Sequence, residues 1–240
     1  MRGLAFAAVL AVSAAASARE AVVFIGAHPD DFAGEIGAAL RLKDAYDIHV
    51  IDFTRGDRGC GEEKFRSGWT RATRTKEEES VCAAVGAKLH WIDEIDGESY
   101  ACREACDRMA AILREVKPRA VITHWPVDIH VDHVMTGAAT LKAIKLAGIT
   151  PEIYFHEQDH QSRAFTPTVY VDVSSVEEEK ERIIRLYACQ NGDGIAANKR
   201  LNGDFRGRSS ARKGTYCEAY CEYPGSVKGL GVLAGLSASR

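Results

Sequence analysis

The sequence predicts an α/β fold built on a mostly parallel β-sheet. Short apolar runs alternate along the chain with longer segments of helical composition, at the spacing of βαβ units. The first run, AVVFIG at 21–26, contains no polar residue, as expected of a strand that is buried on both faces. The composition, 46% hydrophobic and 27% charged over 240 residues, is typical of a soluble globular domain and excludes disordered, collagen-like and coiled-coil chains.

The individual elements follow from these patterns in chain order. The predicted strands cover 21–26, 48–53, 89–92, 120–123, 151–155 and 168–173. The predicted helices cover 36–42, 71–85, 102–116, 134–146 and 176–188. Residues 54–69 are predicted to form a loop, and the last fifty residues carry no clear element. In such sheets ligands bind beyond the carboxyl ends of the strands, so we expect the site there.

The first eighteen residues have the three-part layout of a secretory signal peptide. Met1-Arg2 supplies a positive charge, 3–16 is uncharged, and Ala16-Ser17-Ala18 is a small-residue cleavage site. A membrane anchor is the alternative, but the apolar run is short for a bilayer. We therefore expect cleavage after Ala18 and export to the periplasm or the medium. The mature chain would be a single domain over 19–240 with no transmembrane segment.

The chain has seven cysteines, an odd number that cannot pair completely. An exported chain meets an oxidising environment, in which disulfides form. Cys82 lies in an apolar helical stretch and is predicted to be a buried thiol. The better disulfide candidates lie in polar or loop-like stretches: Cys60, Cys102, Cys106, Cys217 and Cys221. Their connectivity cannot be deduced from spacing.

Histidines and carboxylates directly follow two of the predicted strands. HPDD at 28–31 comes after the first strand, and HWPVDIHVDH at 124–133 comes after the fourth. Two imidazoles and one carboxylate make the ligand set of a catalytic zinc site with one position left for water, and a second carboxylate can act as a base. Each piece has a plainer interpretation. The Asp-Asp pair can cap a helix or form a magnesium or phosphoacceptor cluster, and HxxH can be a polar helix face.

Nucleotide and nucleic-acid binding find no support in the sequence. The turn after the first strand reads GAHPDD rather than GxGxxG, and no Walker A motif occurs. The formal net charge of −3 gives no electrostatic footprint for nucleic acid.

Several motifs together resemble one known family. AHPDD at 27–31 followed by HVDH at 130–133 is similar to the paired HPDD and HxDH motifs of the PIG-L or LmbE-like family, the N-acetylglucosaminyl-phosphatidylinositol de-N-acetylases. TRGDRG at 54–59 resembles the family's TxGExG loop, and Arg74 with Glu77 resembles its RxxE helix start. Asp96-Gly97 resembles a DG turn, and YCEAY at 216–220 resembles the late yAEaF segment.

The resemblance implies a Rossmann-like three-layer sandwich with its site at the carboxyl ends of the strands. It also implies one zinc ion per chain, with other divalent metals as alternatives, held by His28, Asp31 and His133. The implied activity is removal of an N-acetyl group from an N-acetylglucosamine-type sugar or sugar conjugate. The implied partner is therefore a small amino sugar or glycan, and the sequence leaves the oligomeric state open.

The resemblance also implies roles for the neighbouring residues. Asp30 would be the general base that activates the attacking water. His130, in its charged form, would stabilise the oxyanion of the attacked amide, and Asp132 would hold the His130 ring and raise its pKa. The residues that correspond to family positions near the substrate are Arg74, Asp96 and Asp128.

Two other functions remain open. The chain could be a carbohydrate-binding protein on the same fold without turnover, although such a protein has no use for a base and an oxyanion donor. It could also be a non-haem iron(II) enzyme, since two histidines and one carboxylate suit that metal as well.

Other polar residues have plainer predicted roles. His156 and His160 are expected in a solvent-exposed loop, and the basic segment 199–213 is expected to be a solvated loop, although it could meet an anionic substrate group. The acidic runs at 77–79 and 177–179 are interpreted as first-turn acids of helices. His124 is either an indirect contact of the site or a plain strand-end histidine.

Overall fold

A single mixed sheet forms the centre of the molecule. The computed structural model describes residues 19–59, 68–210, 215–224 and 231–236. Within them the strands are β1 (Ala21–Gly26), β2 (Asp47–Thr54), β3 (Lys88–Glu94), β4 (Ala120–His124), β5 (Glu152–His156), β6 (Val169–Asp172) and β7 (Cys217–Glu222). Their order across the sheet is β3-β2-β1-β4-β5-β7-β6. The ladders among β1 to β5 are parallel, and β7 is antiparallel to both β5 and β6. The predicted α/β fold with a mostly parallel sheet is confirmed.

Helices cover both faces of the sheet and make a three-layer sandwich. They are α1 (Ile36–Leu42), α2 (Gly68–Val85), α3 (Arg103–Val116), α4 (Val131–Ala147), α5 (Glu177–Ile184) and α6 (Gly192–Ser209). Successive side chains of β1 point to opposite faces, so Val22 and Phe24 pack in one core and Val23 and Ile25 in the other. The first core also contains side chains of α1, α2, α5 and α6, and the second contains those of α3 and α4.

The strand order changes direction at β1, because β2 and β3 lie on one side of it and β4 and β5 on the other. The chain moves from β1 to β2 and β3 on one side, and then returns to place β4 and β5 on the other side of β1. The loops that leave β1 and β4 therefore diverge, and a crevice opens beyond the carboxyl ends of these two strands.

The predicted elements agree with the structure through the first two thirds of the chain, with shifts at several ends. β1 and α1 have the predicted bounds. α2 begins at 68 rather than 71, and α5 ends at 184 rather than 188. α4 begins at 131 rather than 134, because the His130 side chain caps this helix by accepting the amide N–H of Asp132. Segment 124–133 is therefore part loop and part helix.

The unassigned end of the chain contains α6 and β7. α6 carries four glycines in eighteen residues, which is a poor helical composition and explains why no helix was predicted. β7 lies inside the sheet between β5 and β6, where both faces are covered, so its side chains do not show a simple polar alternation.

Several charged residues that were expected in solvent are buried. Lys199 is buried in α6, and its Nζ is 3.1 Å from Asp159 Oδ2. Residues 199–209 are therefore helical, and the predicted solvated loop is wrong for this part of the segment 199–213. Residues 211–214 lie outside the described part. The acidic run at 77–79 lies in the middle of α2, and Glu78 is fully buried. The run at 177–179 does occupy the first turn of α5, as predicted.

The disulfide prediction is wrong for three cysteines. Cys102, Cys106 and Cys221 have free thiols. Cys102 instead caps α3 through a hydrogen bond from the amide of Ala105 to its Sγ. Cys82 is a buried thiol, as predicted. Cys217 is buried in β7, and Cys60 lies outside the described residues.

The predicted signal peptide, residues 1–18, also lies outside the described residues. Among the helices in the described ranges, none has the length and apolar character needed to cross a bilayer.

Candidate metal centre and active site

Polar side chains from the ends of β1 and β4 line one cavity of about 180 Å³. The turn after β1 carries 28–31, and the N-terminus of α4 carries 130–133. Because β1 and β4 are neighbours in the sheet, these two segments meet in the crevice. The cavity walls include seven of the predicted site residues: His28, Asp30, Asp31, Arg74, Asp96, His130 and His133.

Asp31 is fixed by the backbone of its own turn. Its Oδ2 accepts the amide N–H groups of Ala27 at 2.9 Å and His28 at 2.8 Å. The same oxygen is 3.4 Å from His28 Nδ1, and Oδ1 is 3.4 Å from His133 Nε2. Burial by itself would raise the pKa of Asp31, but the imidazoles of His133 and His124 lower it well below its usual value. The carboxylate is therefore ionised.

His28 is oriented by Asp132. Its Nε2 donates to Asp132 Oδ2 at 3.0 Å, and its Nδ1 faces Asp31. The amide of Gly97 and the hydroxyl of Ser99 also donate to the Asp132 carboxylate, each at 2.7 Å. The expectation that Asp132 holds the His130 ring is wrong, because the first turn of α4 directs this carboxylate toward His28 and the loop at 97–99.

His133 is oriented by Asp128 in the same manner. Its Nδ1 donates to Asp128 Oδ1 at 3.1 Å, and its Nε2 faces Asp31. Asp128 also accepts the amide of His130 and the hydroxyl of Ser162, both at 2.8 Å. Its side chain is only 1% exposed, so the expected contact between Asp128 and the substrate is wrong.

Asp96 lies at the edge of the same group. Its Oδ1 is 3.3 Å from His28 Nε2, and its Oδ2 accepts the amide of Arg58 at 2.7 Å. Asp96 therefore supports His28 and also contributes to the cavity wall, where a substrate can reach it.

The donors around Asp31 fit a divalent metal ion. A ring nitrogen of His28 and one of His133 each lie 3.4 Å from the Asp31 carboxylate, the first from Oδ2 and the second from Oδ1. Ligand atoms around a tetrahedral zinc with bonds of about 2.0–2.1 Å lie about 3.3 Å apart. Burial lowers the pKa of His133, but Asp31 and Asp128 raise it to about 9, which shows how strongly this group attracts positive charge. Three groups of side chains have ligand atoms within 4.8 Å of one another: His28, His130 and His133; Asp31, His124 and His133; and His28, Asp96 and Asp132.

Asp30 stands beside these donors on a strained backbone. Its φ of 96° lies in the left-handed region, which costs a non-glycine residue about 1–3 kcal/mol. The Arg74 guanidinium donates to Asp30 Oδ1 at 2.5 Å and to the carbonyl of Pro29, and so holds this turn in place. Burial raises the pKa of Asp30, while Arg74 acts in the opposite direction. The Asp30 side chain remains 24% exposed and can be reached from the cavity.

Arg74 reaches Asp30 because the loop at 54–59 leaves room for it. The guanidinium is buried and donates to the carbonyl of Gly56 at 3.2 Å. Gly56 has a φ of +62°, and a Cβ on Gly59 would lie 1.8 Å from Arg74 Nη1. The glycines of TRGDRG thus shape a cradle for Arg74. Arg74 lines the cavity, but its guanidinium is engaged by the protein, which differs from the substrate contact expected for it.

His130 presents one nitrogen–hydrogen group to the site. Its Nδ1 accepts the amide N–H of Asp132 at 3.3 Å, so the ring proton lies on Nε2. Burial, together with His28 and His133, lowers the pKa of His130. The charged form expected of this ring stays a prediction.

Two further histidines extend this group into the interior. His124 Nε2 is 3.1 Å from Asp31 Oδ2, and its ring stacks on that of His133 with centroids 4.3 Å apart. Burial and the neighbouring His133 lower the pKa of His124 to about 3. His156 is buried against Glu35, with Nδ1 2.9 Å from Glu35 Oε1, so its predicted place in an exposed loop is wrong. In the sequence, only their positions at the ends of β4 and β5 indicate that these two histidines lie near the site.

Gln161 and Gln190 also line the cavity, although neither belongs to a motif of the sequence. Carboxamides in loops carry no motif that would single them out, and only the folded chain brings them to this wall.

Comparison with known proteins decides the family. A family model described as PIG-L, GlcNAc-PI de-N-acetylase, matches residues 23–144. The chain belongs to the PIG-L family. The PIG-L match runs from β1 into α4 and therefore includes the three converging donors, His28, Asp31 and His133.

Proteins similar in sequence to this PIG-L chain include deacetylases and a hydratase. A diacetylchitobiose deacetylase from Thermococcus kodakarensis is 29% identical over 189 residues, which are 70% of this chain and 69% of that protein. A 4-oxalmesaconate hydratase from Pseudomonas putida is 24% identical over 192 residues, 72% of this chain and 74% of that protein. The solved structure of N,N'-diacetylchitobiose deacetylase from Pyrococcus horikoshii has a TM-score of 0.75 at 24% identity, over 86% of this chain and 84% of that one, and shares the fold. The chain is a hydrolytic enzyme of this amide-cleaving family.

Proposed function

We propose that this chain is an exported, zinc-dependent N-deacetylase that removes the acetyl group from an N-acetylglucosamine-type sugar or sugar conjugate. The observation that carries the proposal is the convergence of His28 Nδ1, the Asp31 carboxylate and His133 Nε2, with Asp30 beside them. Membership of the PIG-L family and the chitobiose deacetylases among its relatives support the substrate class.

His28, Asp31 and His133 would hold the metal. When bound, a zinc ion supplies Lewis-acid polarisation of the amide carbonyl and lowers the pKa of the attacking water. Asp132 and Asp128 fix the two imidazole rings so that His28 Nδ1 and His133 Nε2 face Asp31.

Asp30 acts as the general base and then as the general acid. Arg74 holds one of its oxygens, so the carboxylate is fixed toward the cavity while its side chain stays reachable by water. It takes a proton from the water that attacks the acetamide carbon and returns it to the amine nitrogen as the C–N bond breaks. Acetate and a free amino sugar are the products.

His130 donates to the carbonyl oxygen as negative charge develops there. The hydrogen bond from the amide of Asp132 to Nδ1 leaves Nε2–H as the donor. A donor aimed before the reaction begins costs no reorganisation in the transition state.

Export rests on the sequence of residues 1–18. Expression of the full chain in a bacterial host, followed by N-terminal sequencing of the periplasmic fraction, should give a mature protein that begins at Arg19. A chain retained in the cytoplasm with residues 1–18 intact would contradict export and leave the activity unaffected.

The activity is tested by metal analysis and acetate release. The purified protein should contain about one zinc per chain and release acetate from N-acetylglucosamine or diacetylchitobiose. Hydration of 4-oxalmesaconate without any acetate release would contradict the proposal, as would iron as the only supporting metal.

The base is tested by Asp30→Asn. An amide keeps the oxygen that accepts from Arg74 but has no proton-accepting carboxylate, so turnover should fall about 10²- to 10⁴-fold with metal content unchanged. Asp107→Asn, at an exposed site on α3, is the matched control and should retain full turnover. Full activity of Asp30→Asn would remove Asp30 from the mechanism.

A further inference from the structure

A buried side chain of the loop after β5 holds the backbone of the turn that carries Asp31. Gln158 lies in that loop, and its Nε2 donates to the backbone carbonyl of Asp31 at 3.0 Å. The carboxylate of the same Asp31 faces the ring nitrogens of His28 and His133. The position of this candidate metal ligand therefore depends on a carboxamide that comes 127 positions later in the chain.

Lys199 determines which way this carboxamide points. Its Nζ donates to Gln158 Oε1 at 3.4 Å and lies 3.1 Å from Asp159 Oδ2. Burial lowers the pKa of Lys199, but the carboxylates of Asp159 and Glu35 raise it, so the amine keeps its proton. Because an ammonium group has donors only, the amide oxygen of Gln158 has to face Lys199. The amide nitrogen then faces the carbonyl of Asp31, which it holds by a hydrogen bond.

The packing around the ammonium group fixes it in this place. Lys199 is only 6% exposed, and a Cβ on Gly34 would lie 3.2 Å from its Nζ. Gly34 ends the short 3₁₀ turn that begins at Asp31, so the ammonium lies against this turn as well as against the carboxamide. The carboxylate of Asp159 is held at its other oxygen, Oδ1, by the side-chain amide of Asn202 at 2.9 Å. α6 therefore supports the turn from the side opposite to solvent.

We propose that Lys199 and Gln158 are positioning residues of the metal centre, and that Lys199 acts through Gln158 on the backbone of Asp31. The inference rests on the proposed metal-dependent function and adds residues beyond 144, where the PIG-L match ends. Neither side chain lines the cavity of the site, so the pair acts by holding a ligand in place. Removal of groups that hold a metal ligand typically weakens metal binding about 10- to 100-fold.

The first test is Gln158→Glu. The carboxylate keeps an oxygen that accepts from Lys199, but its second oxygen faces the carbonyl of Asp31 and repels it. Zinc affinity, measured by competition with a chelator, should fall about 10-fold. The visible absorption of Co²⁺ bound in place of zinc should shift, because it reports the arrangement of the ligands.

Asn202→Ala is the matched control. It removes a hydrogen bond to Asp159 at the same junction of α6 and the loop, and leaves both Lys199 and Gln158 in place. The melting temperature of this variant should fall slightly, while its zinc affinity and its Co²⁺ spectrum stay as in the unchanged protein. A lower melting temperature alone, without a change in metal binding, is the signature of a merely structural role.

A double-mutant cycle tests whether Lys199 acts through Gln158. Lys199→Met releases the carboxamide, and Gln158→Leu removes it, so each variant should bind zinc about 10-fold more weakly. The double variant should bind zinc no more weakly than Gln158→Leu alone, since the same hydrogen bond to Asp31 is lost in both. Losses that add in the double variant would overturn the inference, because Lys199 would then act by another route.

The metal readouts separate this inference from the proposed function. Unchanged zinc affinity and an unchanged Co²⁺ spectrum in Gln158→Glu and Gln158→Leu would overturn the positioning role, even with acetate release intact. Zinc binding that weakens as expected in a protein that releases no acetate would support the positioning role and contradict the deacetylase. A chain that binds neither zinc nor Co²⁺ would contradict both.

Discussion

The cradle around Arg74 makes a sharp prediction for Gly59→Ala. A Cβ at this position would lie 1.8 Å from Arg74 Nη1, a distance that no real contact allows, so the guanidinium has to move. Movement breaks its hydrogen bonds to Asp30 Oδ1 and to the carbonyl of Gly56. A hydrogen bond to a charged group contributes about 1.5–3 kcal/mol, which corresponds to about 10- to 100-fold in kcat/KM if positioning of Asp30 depends on it.

The matched control is Gly68→Ala in α2. A Cβ there meets nothing within 4 Å, so this variant should keep its activity and gain slightly in stability from the better helical propensity of alanine. The assay is steady-state acetate release together with thermal unfolding of both variants.

A double-mutant cycle separates the Arg74 effect from a general disturbance of the loop. If Gly59→Ala acts by displacing the guanidinium, it should cost little more activity once Arg74→Ala is already present. Two losses that simply add in the double variant would refute the cradle as the cause, and so would full activity of Gly59→Ala alone.

Three other predictions follow from the buried ionisable groups. Asp128→Asn keeps an acceptor for His133 Nδ1 but removes the negative charge. Zinc binding, measured by competition with a chelator, should weaken about 10- to 100-fold. Unchanged zinc binding would contradict this prediction. Burial raises the pKa of Glu78 from 4.5 to about 7. Between these pH values the folded protein holds a proton that the unfolded chain has lost. The free energy of unfolding should therefore fall by up to about 3 kcal/mol as the pH rises from 4.5 to 7. Glu78→Gln should abolish that slope in urea unfolding, and an unchanged slope would locate its origin elsewhere. Burial and the neighbouring His90 lower the pKa of His49 to about 4, so stability should be complete above pH 6.5 and decline, by about 2 kcal/mol, as the pH falls to 4. His49→Leu should flatten this acid limb.

The local motifs were sufficient for the ends of β1 and β4. A strand followed directly by HPDD, and another followed by HxDH, place their side chains at the same edge of a parallel sheet. His28, Asp31 and His133 therefore meet in the structure, with two separations of 3.4 Å that no sequence pattern could specify.

The partners of these residues depend on contacts between distant segments. Asp132 was assigned to His130 because the two are neighbours in sequence, yet its carboxylate meets His28, which lies on the other strand. Asp128 was assigned to the substrate, yet the loop after β5 covers it through Ser162. Gln161 arrives at the cavity by the same loop and had no signal in the sequence.

By itself, the sequence determined the α/β class, the family and the residues that converge at the site, because strand periodicity and short motifs are local properties of the chain. The tertiary structure decided which carboxylate orients which imidazole, why the loop at 54–59 needs its glycines and which residues line the cavity. Those relations depend on distances between side chains from β1, β2, α2, α4 and the loop after β5, and such distances exist only when burial of the two cores has fixed the elements against one another.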